Sequence, residues 1–385
     1  MDFSKIKVLV TDGGGKQPLA MIFGLKELGC FVSVLCGSKL DPCFVSNKPD
    51  VKILDDCFNR RDEETFNKWL SLVQTGDYNV IMPVGEDSTN LATKHEKELG
   101  QYVKLACAPR DVYIKAFNKQ ITFDQAMKSG IPCPYTRQSD QAIEDFLQHV
   151  KFPIIIKPRQ GLGSIGFHKF ETESEFRQRL ASKSFNVDDY VVQEFVHFKH
   201  RIGVNIFMDT YGNICTSYVV DVLRWFPLDA GAGVLIKTID NPQILQYTAK
   251  LLKDLGWRGF ADVGFMIDKE TGEPRLLEIN GRIPASIKMG FSLGYNISRQ
   301  MLEMVYGENV TMYPDNTQYG KFIRHFDTDV AWFLKSPNRF KTKPSWFNWK
   351  NTEEVLFYKD DPKPFFSQFY QKMMSYRKIM KNKQH

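Results

Sequence analysis

The sequence predicts an amino-terminal α/β unit followed by a larger α+β body, and three observations carry that reading. The first hundred or so residues alternate strand-length apolar runs with helical patterns. The middle of the chain is mostly strands, and from about residue 326 the composition changes again. At roughly 150 residues per domain, 385 residues call for two or three domains rather than one core.

The elements follow in order. An apolar run at 6–10 ends at Thr11-Asp12-Gly13, and Gly13-Gly14-Gly15 leads into a helical pattern through Leu19, Ile22, Phe23, Leu25 and Leu28. Apolar runs at 30–36 and 51–54, a helix around 63–73 and a strand at 79–84 complete a βαβ order. That order implies a parallel sheet with ligands at the carboxyl ends of its strands. The glycine turn sits at such an end. It reads equally as a substrate-carboxylate site, with amides facing an anion, or as a tight turn with no ligand. A dinucleotide fingerprint is absent, because Pro18 stands where its third glycine belongs and no acidic residue closes the second strand.

A helix over 111–119 carries Asn118-Lys119, and a second helix ends at Ser129-Gly130. Ile131-Pro132-Cys133-Pro134 forces an extended segment and marks a boundary, since residues before proline avoid the α region. Strands follow at 152–158, 191–195, 202–208, 214–222, 259–267 and 275–280, with a glycine-rich loop at 160–166 between the first two. Strand after strand implies an antiparallel sheet. In the tail Trp332, Trp346 and Trp349 mix with prolines and lysines. Phe365, Phe366, Phe369, Tyr370, Met373 and Met380 then recur at helical spacing, as in a terminal helix packed on the body. A basic helix lying on a membrane surface and ending in Arg377-Lys378 and Lys381 is the alternative.

Composition narrows the function. Hydrophobic residues are 43% and charged residues 25%, the balance of a globular protein, and a net charge of +6 gives no argument for nucleic acid. The residues after Met1 run directly into the first strand without a signal-peptide pattern, and no stretch has the roughly 20 apolar residues of a membrane span. Seven dispersed cysteines without a CxxC pair read as reduced thiols of a cytoplasmic protein. No zinc pattern or nucleophile–base constellation appears, and His197 and His200 read as bystanders.

What remains is an ordered series of groups suited to a nucleotide. Lys119 and Lys157 lie on either side of a hinge, where both can reach phosphates. Gly161, Gly163 and Gly166 let backbone amides approach phosphate oxygens, and Ser164 adds a donor. Glu194, at the end of an apolar strand, suits hydrogen bonds to adenine or ribose. Residues two apart on a strand share a face, so Glu278 and Asn280 point together and Arg282 continues that face. Two oxygen ligands beside a guanidinium suit magnesium on a triphosphate.

Over roughly residues 1–325 the chain resembles the ATP-grasp superfamily. The matching segments are IIIKPRQGLGSIG, VVQEFV, GFADVGFMID and RLLEINGRI. The ensemble looks closer to the carbamoyl-phosphate-synthetase-like branch with its amino-acid ligases and polysaccharide- or cell-wall-associated members. The resemblance implies a parallel α/β domain at 1–115, an ATP-grasp lid at 116–190, a catalytic base at 191–325, and a basic, aromatic-rich extension at 326–385. It implies an ATP-dependent carboxylate–amine (or carboxylate–thiol) ligase working through an acylphosphate, with magnesium or manganese. Its partners would be a small carboxylate and a small amine, with a homo-oligomer and peripheral membrane contact of the tail left open.

By the same analogy Lys119, Lys157, Gly161, Gly163, Ser164 and Gly166 hold the nucleotide, and Gln193, Glu194, Phe195 and Val196 line the adenine pocket. Glu278 and Asn280 bind the metal, and Lys157 and Arg282 serve catalysis. Two departures stand out. Gly264 occupies the position of an acidic or amide ligand, so Asp262, two residues earlier on the same strand face, is expected to take its place. The segment from His197 to Arg201 lacks a carboxylate for ribose. Arg224, Lys237, Arg282 and Lys288 are candidates for anionic substrates, and 221–226, 229–233 and Lys237 for a substrate loop. The competing reading is a catalytically silent ATP-binding regulatory or assembly protein.

Overall fold

A computed structural model describes residues 1–161, 166–228, 231–314 and 318–382. The amino-terminal strands are β1 (Lys7–Val10), β2 (Phe31–Cys36), β3 (Val51–Leu54), β4 (Val80–Met82) and β5 (Lys104–Leu105). They form a parallel sheet in the order β3-β2-β1-β4-β5. Apart from the exposed Lys7, β1 and β4 are buried, which explains the apolar runs Val8-Leu9-Val10 and Val80-Ile81-Met82. The helix Gln17–Glu27 follows the glycine turn, with Pro18 in its first turn where a missing N–H costs nothing.

Three strands make a separate antiparallel sheet in the order β7-β6-β8: β6 (Ile154–Pro158), β7 (His168–Phe170) and β8 (Tyr190–Glu194). Its own small core is built on Phe146, Ile154, Ile156, Phe176 and Val192. The third sheet has seven strands: β9 (Phe198–Met208), β10 (Ile214–Phe226), β11 (Ala232–Ile239), β12 (Gly259–Asp268), β13 (Pro274–Asn280), β14 (Phe322–Arg324) and β15 (Thr352–Glu354). The order is β13-β12-β9-β10-β11-β14-β15, antiparallel except for the last pair.

The tail is part of this architecture. β15 extends the large sheet, and the helix Phe326–Lys335 packs on β10 and β11. Asp361, buried, accepts from Ser46 Oγ at 2.5 Å, while Ser367 and Gln371 of the helix Lys363–Asn382 donate to the Leu40 carbonyl. Lys16 pairs with Asp327 across the same junction. The terminal helix thus packs on the body, as the aromatic spacing implies; the side chains of Arg377, Lys378 and Lys381 lie outside the described residues. Among the described residues no helix is long and apolar enough to cross a membrane.

Beneath the tail lies an ion triad. Asp329 accepts from Arg224 Nε and Nη2 at 2.9 and 2.8 Å and from Arg324 Nε at 2.5 Å, and all three residues are buried. Trp346 and Trp349 cover the Arg324 guanidinium at 4.4 and 4.2 Å.

Candidate active site

The two lysines come from different elements. Asn118 ends the helix Arg110–Phe117 and caps the helix Lys119–Lys128, its side chain accepting from Gln120 N at 3.0 Å. This break places Lys119 at a helix start, where its amide donates to Arg159 O and its Nζ to Gly161 O, each at 2.8 Å. Lys119 therefore touches the entrance of the glycine loop. Of that loop, Gly161 and Gly166 are described; Gly163 and Ser164 lie outside the described residues. Gly166 has φ +77°, and a Cβ there would meet Pro158 Cγ at 2.7 Å, so glycine is needed to turn the loop back onto β6.

Lys157 projects from β6 over the Phe123 ring at 4.5 Å, with its ammonium 3.4 Å from the Leu277 carbonyl. Burial draws its pKa down to about 8, against the pull of Glu278 and with the help of Lys119. On β8, Gln193 is buried and donates to Thr136 Oγ1 at 2.7 Å, so its side chain is committed to a protein partner. The Glu194 carboxylate accepts from Tyr135 N at 2.9 Å. Both side chains of the expected adenine segment thus have protein partners, and the amides of Glu194 and Phe195 donate to the carbonyls of Tyr135 and Pro153, each at 2.9 Å.

Register builds the opposite wall. Asp262 on β12 faces Asn280 on β13, and Gly264 faces Glu278. On the next strand Gly203 stands beside Gly264 and Asn205 beside Asp262. Asn280 Nδ2 lies 3.4 Å from Asp262 Oδ2 and 3.3 Å from Glu278 Oε1, so one amide bridges the two carboxylates. Burial raises the Asp262 pKa to about 6, eased by Arg282 and reinforced by Glu278. The turn after β13 is fixed by Gly281, where a Cβ would meet Trp257 at 2.8 Å. Beyond it, Arg282 reaches Glu86 Oε2 at 3.3 Å and Asp262 Oδ2 at 3.9 Å.

Glu86 was missed in the sequence. Its signal is positional, since Gly85-Glu86 follows β4 at the carboxyl end of a parallel strand. Asp12 holds this turn, accepting from Gly85 N at 2.9 Å, Ser88 Oγ at 2.7 Å and Arg61 Nε at 3.1 Å. Acidic side chains line the glycine turn. Asp41 lies against Gly14, and a Cβ on Gly13 would meet Leu35 O at 2.7 Å. Arg201 was also missed. Its guanidinium donates to Gly231 O at 2.7 Å, stacks on Trp225 and is influenced by Glu278, whereas its neighbour His200 turns to Asp221 at 2.7 Å.

Two expected substrate-binding cations are committed elsewhere. Arg224 is consumed by Asp329. Lys288 is buried and donates to the carbonyls of Glu354 and Phe357, each at 2.7 Å, while covering the Tyr358 ring. The expected substrate loop is largely strand, with 221–226 in β10 and Gly233 and Lys237 in β11, while Asp229 and Ala230 lie outside the described residues. A cavity of about 820 Å³ opens beside Lys288 among Phe23, Trp349, Tyr358 and Phe365, and none of the cleft residues above lines it.

The donor set suits a divalent cation held jointly with phosphate oxygens. Asp262, Glu278 and Asn280 offer three oxygen donors on one face once the amide turns. Among the described residues no three acidic, Cys or His side chains could hold an ion by themselves.

Residues 116–286 match the family model of the ATP-grasp domain. The chain is 24% identical over 179 residues to the amino-terminal section of the carbamoyl phosphate synthase large chain of Methanopyrus kandleri, a match covering 44% of this chain and 32% of that one. It is 30% identical over 189 residues to D-alanine–D-alanine ligase of Carboxydothermus hydrogenoformans, covering 43% of this chain and 58% of the ligase. The biotin carboxylase domain of Hydrogenobacter thermophilus 2-oxoglutarate carboxylase, solved with MgADP, ADP and bicarbonate, superposes with TM-score 0.67. That likeness has 16% identity and covers 82% of this chain and 73% of the other. An ADP complex of N5-carboxyaminoimidazole ribonucleotide synthetase gives TM-score 0.61 at 16% identity, covering 87% and 85%.

Proposed function

We propose, from the match of residues 116–286 to the ATP-grasp domain, that this chain is an ATP- and magnesium-dependent carboxylate–amine ligase of the cytoplasm, acting on amino acids or in polysaccharide or cell-wall precursor synthesis. The chain then divides into an α/β unit, a lid, a base and an extension that closes the base sheet. The observation that carries the reading is the polar wall of Asp262, Glu278, Asn280 and Arg282, with Lys157 reaching the carbonyl of Leu277 beside Glu278.

In this reading the substrate carboxylate attacks the γ-phosphorus, forming an O–P bond as the bond to ADP breaks. The amine nitrogen then attacks the acyl carbon, expels phosphate and releases a proton. Lys119 and Lys157 neutralise phosphate charge from the hinge and from β6, and Arg282 stabilises the acylphosphate as charge moves onto it. Glu86 holds Arg282 in place from the α/β unit. Glu278, Asn280 and Asp262 would hold magnesium, which supplies charge neutralisation to the triphosphate when bound. The test is phosphate release on mixing the chain with ATP, magnesium and panels of carboxylates and amines. Stimulation requiring one particular pair supports the ligase.

Gly264 favours the second reading, a silent nucleotide-binding protein, because the Glu278 row continues into Gly264 and Gly203 with no second acid. Nucleotide affinity without turnover for any pair would establish it.

Two further expectations follow. Asp262→Ala should weaken magnesium-dependent ATP binding by about tenfold while leaving magnesium-free binding within about twofold, read by calorimetry; an unchanged magnesium dependence removes Asp262 from the metal site. Lys157 is charged below its pKa of about 8 and neutral above it. MgATP affinity should therefore fall as pH rises through about 8. Lys157→Met should bind weakly and without that inflection.

A further inference from the structure

The segment from the end of the helix Phe326–Lys335 to β15 has no role in the cleft. Between Val330 and Thr352 it carries Lys335, Arg339, Lys341, Lys343 and Lys350 and no acidic residue. None of the five forms an ion pair among the described residues, and Arg339 rests over the Phe340 ring. In the same segment Leu334, Phe340 and Phe347 are 69%, 73% and 64% exposed.

These apolar side chains stand on a rigid base. Phe333 meets Phe340 and Phe347 edge-on at 5.4 and 5.8 Å and packs on Trp346 at 4.6 Å. Trp346 lies over Arg324 of the buried triad, and its Nε1 donates to the Asp329 carbonyl. Phe340 and Phe347 are thus held out of the core on a packed aromatic base, and Leu334 is exposed on the adjoining helix end, among cations with no acidic partner among the described residues. Water gives no reason for that arrangement. An isolated exposed phenylalanine needs no explanation, but this group within a stretch of five like charges does.

We propose that the surface formed by Leu334, Phe340 and Phe347 with Lys335, Arg339, Lys341 and Lys343 docks on an anionic lipid bilayer. The charge requires an anionic partner, and the exposed groups require one with an apolar layer just beneath its charge. A bilayer interface offers both at that depth. Single-stranded nucleic acid fits less well, because Leu334 has no face on which a base can stack and Arg339 covers the Phe340 ring. The surface is independent of the ligase reading and would bring the cleft to a membrane without any spanning helix.

The test is flotation of the full chain with vesicles of phosphatidylcholine alone or doped with phosphatidylglycerol. Binding to the anionic vesicles only, weakening as salt is raised, is expected. Lys341→Gln with Lys343→Gln should reduce partitioning by about 25-fold, at roughly fivefold per charge. Phe340→Ser with Phe347→Ser should reduce it comparably, and both pairs should keep the parent thermal unfolding midpoint. Three outcomes overturn the proposal: no binding to anionic vesicles at low salt, equal binding by parent and variants, or tighter patch-dependent binding to a single-stranded oligonucleotide. Self-association abolished by the phenylalanine pair, without vesicle binding, would assign the surface to a second copy of the chain and equally overturn it.

Discussion

Arg282→Ala is expected to lower kcat by about 10²–10³-fold while changing ATP affinity by less than about threefold. The guanidinium sits between Glu86 Oε2 at 3.3 Å and Asp262 Oδ2 at 3.9 Å, beyond the β13 residues proposed to meet the nucleotide. A group held there acts where charge builds on the transferring phosphoryl, so its loss falls on the chemical step. Steady-state phosphate release measures kcat, and calorimetry measures nucleotide affinity. An equal loss in both would make Arg282 an ordinary nucleotide ligand. Arg282→Lys should recover only part of the rate, because an ammonium cannot present the planar fork to two partners. Burial already raises the Glu86 pKa against the effect of Arg282, so removing the cation should favour protonated Glu86. Part of the lost rate should then appear as a changed pH profile.

The second large effect is on stability. Asp329→Ala is expected to destabilise the fold by about 3–5 kcal/mol, because it strands two buried guanidinium groups with one carboxylate removed. The thermal unfolding midpoint should fall by more than about 5 °C. Replacing Arg224, Arg324 and Asp329 together by apolar residues of similar volume should recover much of the loss, since the triad's attraction is set against its own desolvation. A loss below about 1 kcal/mol for Asp329→Ala would mean that water reaches the triad.

The parts legible in the sequence were those encoded locally. Strands β1, β2, β4 and β6 are dominated by apolar residues, interrupted only by Lys7, Ser33 and Lys157, and Glu278 and Asn280 announce a shared face by their spacing alone. β5, β7, β14 and β15 are only two or three residues long, too short for any period to register. Arg224 and Lys288 looked available because a sequence cannot reveal that Asp329 lies 105 positions away in the chain yet 2.8 Å away in space. Glu86 and Arg201 escaped for the opposite reason. Each stands in an unremarkable local context and gains meaning from a strand end or sheet face assembled by distant segments. Gly264 was legible as a departure, and the register adds that Gly203 lies directly beside it.

The joining of β15 to β14 also has a consequence for the order of synthesis. Every residue proposed for the cleft has been translated once Arg282 is made, yet Lys288 finds its carbonyl partners only at Glu354 and Phe357. Leu40 and Ser46 wait longer still, for Asp361, Ser367 and Gln371. A nascent chain therefore carries its chemistry before it can lock it. Ribosome-bound intermediates ending near residue 330 should remain open to proteases at the junction between the first sheet and the last.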